Sequence, residues 1–485
     1  MMTIIGRVQE QKQLKRIFDS STAEFVAVYG RRRIGKTHLV REFFKQQKCI
    51  FFRCAGIHKG RLALQLEKFK HEIETTFYQG RKGSRLSEFK NWHNAFQALN
   101  DAINLMAGTK KIIIFMDELP WMATPKSGLL EALDYYWNRH WSENKKIKLI
   151  ICGSAASWII ENILNNTGGL HNRITHRLRI EAFNLAETKT YLTYKKCRLN
   201  NQQITALYLC IGGIPFYLNH IEKNLSAVQN INLLCFNKNG ALHHEFGLLF
   251  ASLFKHHELH EKIILLISKK REGIAREEIE KNISLKGGRL TKRLRELEEA
   301  GFIESFTPWG KERGKYYKII DEFTLFYLTW IEKKSMHRIK NEVNDQLWES
   351  LSQTPAWKAW SGYAFEAICF KHLPQIKKAL QIPSHSIGYS WRTSATKKDN
   401  GAQIDLVFDR PDNSINLCEI KYNQTPFIID KKYAKHLQYR ETCYLKKTNT
   451  SKQIFHSFIT AAGLKTTLYS EGIIASTTTL DDLFT

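Results

Sequence analysis

Apolar and polar positions alternate along the chain with two different periods, and the switches between them mark the elements. Glu24 to Tyr29 (EFVAVY), Lys111 to Met116 (KIIIFM) and Ile147 to Gly153 (IKLIICG) are near-continuous runs rich in β-branched and aromatic residues, the pattern of strands buried on both faces. The first run is followed by Leu39, Val40, Phe43 and Phe44 at helical spacing. From His260 the pattern becomes short amphipathic helices, first around Ile263 to Ile267 and Ile274 to Ile279. A third, from Gly288, lines up Leu290, Leu294 and Leu297 and leaves Arg289, Lys292, Arg293 and Arg295 on the outer side. Further on, Ala402 to Phe408 and Ile415 to Tyr422 read as two strands joined by a turn at Pro411, Asp412 and Asn413. The whole predicts an α/β protein.

At roughly 150 residues per domain, 485 residues predict about three domains. Lys and Arg number 73 against 47 Asp and Glu, a formal charge of +26, which makes a polyanion the natural partner. A solvated basic surface accounts for the same number, so motifs must decide. With 43% hydrophobic residues, 9 Pro and 27 Gly, the composition excludes disordered and collagen-like chains. Residues 1–10 contain no apolar core of a signal peptide, and no apolar run is long enough to span a membrane. Nine cysteines, none spaced as C-x-x-C, read as reduced thiols. A cytoplasmic protein follows, with no membrane partner. The histidines are scattered, and the pairs His243–His244 and His256–His257 lack the cysteines of a zinc site.

Between the first strand and its helix lies Gly30-Arg31-Arg32-Arg33-Ile34-Gly35-Lys36-Thr37, followed by His38. Strand, glycine loop and helix in this order form a P-loop. Gly30 and Gly35 let the backbone wrap an anion, amides and the helix N-terminus point at it, Lys36 neutralises phosphate charge and Thr37 can hold Mg²⁺. ATP and Mg²⁺ are the expected cofactors. Arg31, Arg32 and Arg33 either add phosphate contacts or lie solvated. The second apolar strand ends in Asp117-Glu118, the form of a Walker B motif, with Asp117 expected toward the metal and Glu118 toward the attacking water.

From Gly6-Arg7 to Gly212-Gly213-Ile214-Pro215 the chain resembles the archaeal-type STAND/AAA+ ATPases. The resemblance rests on Ile5-Gly6-Arg7 with Glu10 and Leu14, the loop GRRRIGKT, the MDE and CGS strand ends, and the GGIPFYL segment. It implies that Ser154, where the family usually has Asn, senses the γ-phosphate, and that Gly213 and Pro215 approach the nucleotide from a small helical lid. It also implies that Arg173 or Arg177 acts as an arginine finger on a neighbouring copy in a homo-oligomer. A salt-bridged structural arginine and an ordinary helix-capping turn are the open alternatives for these last two elements.

The helix ending at Gly301, with Phe302 to Phe306 and the basic turn Trp309 to Lys315, reads as helix-turn-helix plus wing. It resembles the winged-helix module commonly joined to these ATPases, which implies DNA binding; packing between domains is the alternative. In the last third, a hairpin symmetric about Asp412 sets Asp405 across from Glu419, because the numbers of opposed residues then sum to 824. Lys421 shares their face. Two opposed carboxylates repel unless a cation lies between them, and a divalent metal is the economical choice. Asp, then Glu-x-Lys, is the arrangement of the PD-(D/E)xK nuclease superfamily, and the resemblance makes Asp405 and Glu419 metal ligands, Lys421 a polarising cation, and Glu366 the acidic residue of an upstream helix. Lys397, Lys398, Lys431, Lys432 and Lys435 suit a phosphate backbone.

The expected organisation is a P-loop NTPase core of AAA+/STAND type over residues 1–180, a helical lid over 181–255, and a winged helix over 256–320. A helical connector over 321–355 and a restriction-endonuclease-like α/β domain over 356–485 complete it. The expected activity is ATP hydrolysis acting on DNA, with a Mg²⁺-dependent nuclease-like domain. The alternative is a STAND-type nucleotide switch whose C-terminal domain is an inactive protein- or DNA-binding module.

Overall fold

The computed structural model of the chain describes residues 4–78, 86–106, 108, 110–154, 156–164, 170, 172–254, 256–308, 314–332, 346–394 and 401–485. The chain divides into two compact units. The first comprises Met1–Ala182, Leu249–His260 and Leu285–Phe302; the second comprises Phe183–Leu248, Glu261–Ser284 and Ile303–Thr485.

The first unit is built on five parallel strands, β1 (Glu24–Tyr29), β2 (Cys49–Ala55), β3 (Lys111–Asp117), β4 (Ile147–Gly153) and β5 (His176–Arg179), in the order β2-β3-β4-β1-β5. Every residue of β4 is buried, and so is all of β3 after Lys111. That is why these stretches, Lys148 apart, are apolar along their length rather than alternating. On one face Phe52, Ile114, Met116 and Leu149 pack with Phe69, Trp92, Phe96 and Trp141 from the flanking helices. The order brings β1 between β4 and β5, so the loop that leaves β1 opens beside the carboxyl ends of β3 and β4, where α/β sheets bind their ligands.

The helix Gly287–Glu299 also belongs to this unit, with Leu290, Leu294 and Leu297 buried as the apolar spacing predicts. Its basic side is not uniformly free. Arg295 pairs with Glu161, Lys292 lies 3.7 Å from the same carboxylate, and Arg293 pairs with Glu296 at 2.9 Å.

The second unit holds a mixed five-stranded sheet of β9 (Ile387–Thr393), β10 (Ala402–Asp409), β11 (Ser414–Lys421), β13 (Gln453–Thr460) and β15 (Ile474–Thr479), in the order β15-β13-β11-β10-β9. β9, β10 and β11 are antiparallel neighbours, and β11, β13 and β15 parallel ones, while β12 (Phe427–Ile428) and β14 (Leu464–Lys465) form a separate parallel pair. The helix Lys431–Thr448 covers one face through Tyr444, which packs with Trp391, Ile404, Val407 and Leu417. Three short antiparallel strands, β6 (Ile274–Ala275), β7 (Ile303–Phe306) and β8 (Tyr316–Ile319), form a separate sheet in the order β6-β8-β7. The basic turn at 309–313 and Lys397 and Lys398 lie outside the described residues. Trp348, Trp357 and Trp360 meet Trp330 and Phe326 edge-to-face in an aromatic cluster in which Trp357 and Trp360 stack. No described helix is long and apolar enough to cross a membrane.

Candidate functional site

Past Tyr29 the chain turns through residues 30–35 into the helix Lys36–Lys45. Gly30 has φ of +139°, and a Cβ there would come within 2.2 Å of the Ile180 carbonyl oxygen. Only glycine fits. Gly35 and Arg33 are left-handed too, with φ of 86° and 70°, an unfavourable conformation for the arginine. Arg7 braces the loop from outside by donating from Nη2 to the Ile34 carbonyl at 3.1 Å.

Lys36 is buried, and its Nζ donates to the carbonyls of Gly30 and Arg31 at 2.9 and 2.8 Å. Burial pushes its ammonium below the usual lysine value, against the pull of Cys152, Glu118 and Asp117. A buried ammonium whose hydrogen bonds go to neutral carbonyls is a standing attraction for an anion. The three loop arginines differ in role: Arg31 is buried with its guanidinium 5.1 Å from the centre of the Phe302 ring, while Arg32 and Arg33 are half-buried. His38 is half-buried, and burial lowers its imidazole below the ordinary value.

Thr37, at the start of the helix, donates from Oγ1 to Asp117 Oδ1 at 2.9 Å across 80 residues of sequence. The other oxygen of Asp117 accepts from Arg53 Nη2 at 2.8 Å. Glu118, one residue past β3 and left-handed with φ of 49°, turns toward β4, where the Ser154 amide and hydroxyl both donate to its Oε2, at 3.0 and 2.9 Å. Loop, helix start and two strand ends thus bring Gly30, Lys36, Thr37, Asp117, Glu118 and Ser154 into one connected network. A hydroxyl and a carboxylate this close are the hard oxygen donors that Mg²⁺ takes, so the residues fit such an ion beside a bound phosphate.

Arg173 and Arg177 are exposed, the latter on β5 beside Ala27. Pro215 belongs to the second unit, at the first position of the helix Pro215–Leu218. Just before it, the Gly213 carbonyl accepts from the Phe183 amide at 2.8 Å, and a Cβ on Gly213 would lie 1.9 Å from the Phe183 oxygen.

The second unit gathers the other predicted residues. β10 and β11 pair Leu406 with Cys418 and Val407 with Leu417, so opposed numbers sum to 824 as the turn predicts; Asp405 and Glu419 are the next residues on the two strands, just beyond the last paired positions. A bulge in the β9–β10 pairing between Ile404 and Val407 falls at Asp405, where it re-aims the side chain. Asp405 Oδ2 accepts from the Ile420 amide at 3.0 Å. Burial and then the neighbouring Glu419 raise Asp405 above the usual carboxylate range. Glu366, on the helix Pro355–Lys371 capped by Thr354, is pushed up to about 8, first by burial and then by Asp405.

Glu419 behaves oppositely. It is 3% exposed, and burial raises it, but the ion pairs with Lys421 and Arg440 and the hydrogen bond from Tyr433 outweigh burial and leave it below the usual range. Lys421 lies 3.1 Å from Oε2, Tyr433 donates to Oε2 at 2.6 Å, and Arg440 pairs with Oε1. The cation that two opposed carboxylates demand is therefore supplied by side chains. Among the described residues no group of three or more His, Cys, Asp or Glu is arranged to hold a metal ion.

Arg53, Tyr433 and Arg440 are functional candidates that pattern reasoning misses. Arg53 could have been found, since it is the one charged residue in the strand CIFFRCA; Tyr433 and Arg440 sit on a helix whose many polar residues give no such signal.

Residues 5–221 match the model of an ATPase domain predominantly from Archaea, and residues 327–437 match that of a family of archaeal and bacterial proteins of unknown function. An uncharacterized protein of Methanocaldococcus jannaschii is 24% identical over 433 residues, covering 86% of this chain and 87% of its own length. Among solved structures, a Walker-type ATPase of Pyrococcus abyssi is similar with a TM-score of 0.48 and 18% identity, covering 67% of this chain and 96% of that one. The Aeropyrum pernix ORC2 protein gives 0.41 and 16%, covering 68% and 94%. The glycine loop after β1, the parallel sheet and the residue 5–221 match agree on a P-loop ATPase fold for the first unit, similar to the ATPase domains found predominantly in Archaea, while residues 327–437 are similar to a family without assigned function.

Proposed function

We propose that the protein hydrolyses ATP in the network around Lys36 and couples that cycle to work on DNA by its second half. The observation that carries the first part is the Thr37–Asp117 hydrogen bond, which joins the anion loop to the acidic strand end. Thr37 and Asp117 would hold Mg²⁺, which supplies charge neutralisation on the phosphates when bound. Lys36 exchanges its carbonyl partners for phosphate oxygens, Glu118 orients the attacking water and takes its proton, and Ser154 keeps Glu118 aimed. Lys36→Ala should abolish ATP turnover by the purified chain; a mutant as fast as wild type overturns the assignment.

DNA as the partner is supported by the +26 charge and by the chain order helix His257–Ile267, β6, helix Arg276–Ile283, helix Gly287–Glu299, β7, β8, the order in which a winged helix would run. The convergence of Glu366, Asp405, Glu419 and Lys421 supports reading the C-terminal sheet as nuclease-like. One observation favours a second reading. Glu419 is already neutralised by Lys421 and Arg440, as expected of a domain that binds without cutting, and the protein would then be a nucleotide switch. Incubating supercoiled plasmid with Mg²⁺, with and without ATP, separates the two: nicking that disappears in Asp405→Ala supports the nuclease, and intact plasmid under every condition supports the switch. A steep loss of DNA affinity with added salt marks phosphate contacts under either reading. The exposure of Arg173 and Arg177 leaves them free to reach a neighbouring copy as an arginine finger.

A further inference from the structure

We propose that Arg53 is a built-in rival of the divalent cation at the nucleotide site: its guanidinium bonds Asp117 and must let go before Asp117 can serve Mg²⁺. The inference rests on the nucleotide-site reading and assigns that site a cation-gating residue.

The placement follows from the sheet. β2 and β3 are parallel neighbours with Ala55 beside Asp117 and Arg53 beside Phe115. Side chains alternate along a strand, so Arg53 and Ala55 share a face while Phe52 and Cys54 are buried on the other. Asp117 projects from the Arg53 face, two residues beyond Phe115. The register is fixed at this end: the Gly56 amide donates to the Asp117 carbonyl at 2.8 Å, and a Cβ on Gly56 would lie 2.5 Å from the Glu118 oxygen. β2 cannot slide, and Arg53 is delivered to Asp117 by the backbone.

The contact itself is a clasp rather than a permanent anchor. Asp117 has one oxygen on Thr37 and the other on Arg53, so the arginine occupies one of the two oxygens for which a metal or its water would compete. The bond uses one guanidinium nitrogen, not the two-pronged geometry in which an arginine grips a carboxylate most strongly. Arg53 Nε is buried without a hydrogen-bond partner among the described residues, and the Phe115 ring lies 6.0 Å below the guanidinium carbon. Arg53 is 33% exposed while Asp117 is 3%, so the arginine has solvent to move into and the carboxylate does not. A doubly charged ion that prefers oxygen ligands displaces a single N–H bond of this kind, at a cost that appears as weaker metal binding.

The test is a Mg²⁺ titration of the full-length protein with a fluorescent N-methylanthraniloyl derivative of ATP, read as binding rather than turnover. Arg53→Ala and Arg53→Gln should both reach half-maximal Mg²⁺-dependent binding at about tenfold lower free Mg²⁺ than wild type, a difference of ~1.4 kcal/mol. Their affinities in EDTA should match wild type, and Arg53→Lys, which keeps a cation, should stay near wild type. Neutral variants that need as much Mg²⁺ as wild type, or more, overturn the inference while leaving the nucleotide site intact. A wild type that binds no nucleotide with or without Mg²⁺ overturns the site itself.

Discussion

Ser154 closes its amide and its hydroxyl on the same oxygen of Glu118. The grip matters because Glu118 is the first residue after β3 and sits in the left-handed region, where a non-glycine residue persists only if its surroundings hold it. Glu118→Gln should keep nucleotide affinity and lose ATP turnover by roughly a hundredfold or more, as for removal of a general base. Ser154→Ala removes the hydroxyl but leaves the amide, so its turnover should fall by only about tenfold. Single-turnover hydrolysis measured beside equilibrium nucleotide binding checks both; a serine variant as slow as the glutamine variant would mean that Ser154 acts on the nucleotide directly.

Two glycines make a prediction about folding rather than chemistry. Gly30 combines a φ of +139° with a Cβ position 2.2 Å from the Ile180 oxygen, and Gly213 places its Cβ 1.9 Å from the Phe183 oxygen. Neither obstacle is a side chain that can swing away. Gly30→Ala should destabilise the first unit by at least ~2 kcal/mol and abolish nucleotide binding, because the loop must move. Gly213→Ala should destabilise the second unit comparably. Calorimetric unfolding of each variant, followed with and without ATP, checks the assignment: only Gly30→Ala should lose the ATP-dependent shift in melting temperature.

The contrast between what pattern reasoning reached and what it missed has a physical basis. β1, β3 and β4 were legible because strands buried on both faces are apolar along most of their length, and the loop because Gly30 and Gly35 mark two of its turns. The closeness of Asp405 and Glu419 was legible because a hairpin with a defined turn fixes its own register. Arg53, Tyr433 and Arg440 were not, because each meets its carboxylate across a sheet or helix interface that no local pattern encodes. The bulge at Asp405 escaped for the same reason, since it arises in the pairing of β10 with β9, 12 residues or more away in sequence along most of its length. The helix Gly287–Glu299 shows a third case: its apolar stripe was correct, but the partners of its basic residues, Glu161 above all, lie in a distant segment.

Arg440 tests how the carboxylate cluster is held. Glu419 is almost fully buried and keeps its charge because Lys421 and Arg440 flank it. Removing Arg440 leaves Lys421 as the remaining counter-charge of Glu419, so the loss is that of one charge-assisted hydrogen bond, about 1.5–3 kcal/mol. Arg440→Ala should therefore unfold at lower denaturant concentration than wild type, and Glu419→Gln in the same background should recover part of the loss, since the amide needs no counter-charge. Urea unfolding of the two single variants and the double variant gives the coupling directly. Additive losses would show that Arg440 contributes packing and not charge.

Glu299 supplies the pH dependence. It lies on the helix Gly287–Glu299, and its Oε2 is buried without a hydrogen-bond partner among the described residues, while Oε1 is 3.6 Å from Arg295 Nε. Burial raises its carboxyl to about 7 from 4.5; Arg295 and Arg179 pull it down, and Glu161 and Glu296 push it up. A carboxyl raised in the folded state binds its proton more tightly there than in the unfolded chain. Its contribution is fully present below pH 4.5, is lost as the pH rises toward 7, and stays lost above. Glu299→Gln keeps the neutral form at every pH, so it should match wild type below pH 4.5 and exceed it by ~2–4 kcal/mol above pH 7. Denaturant unfolding of both proteins at pH 4.5, 6 and 8 measures this, with the gap opening between the first and last values; a gap that is constant across the range would place the raised group elsewhere.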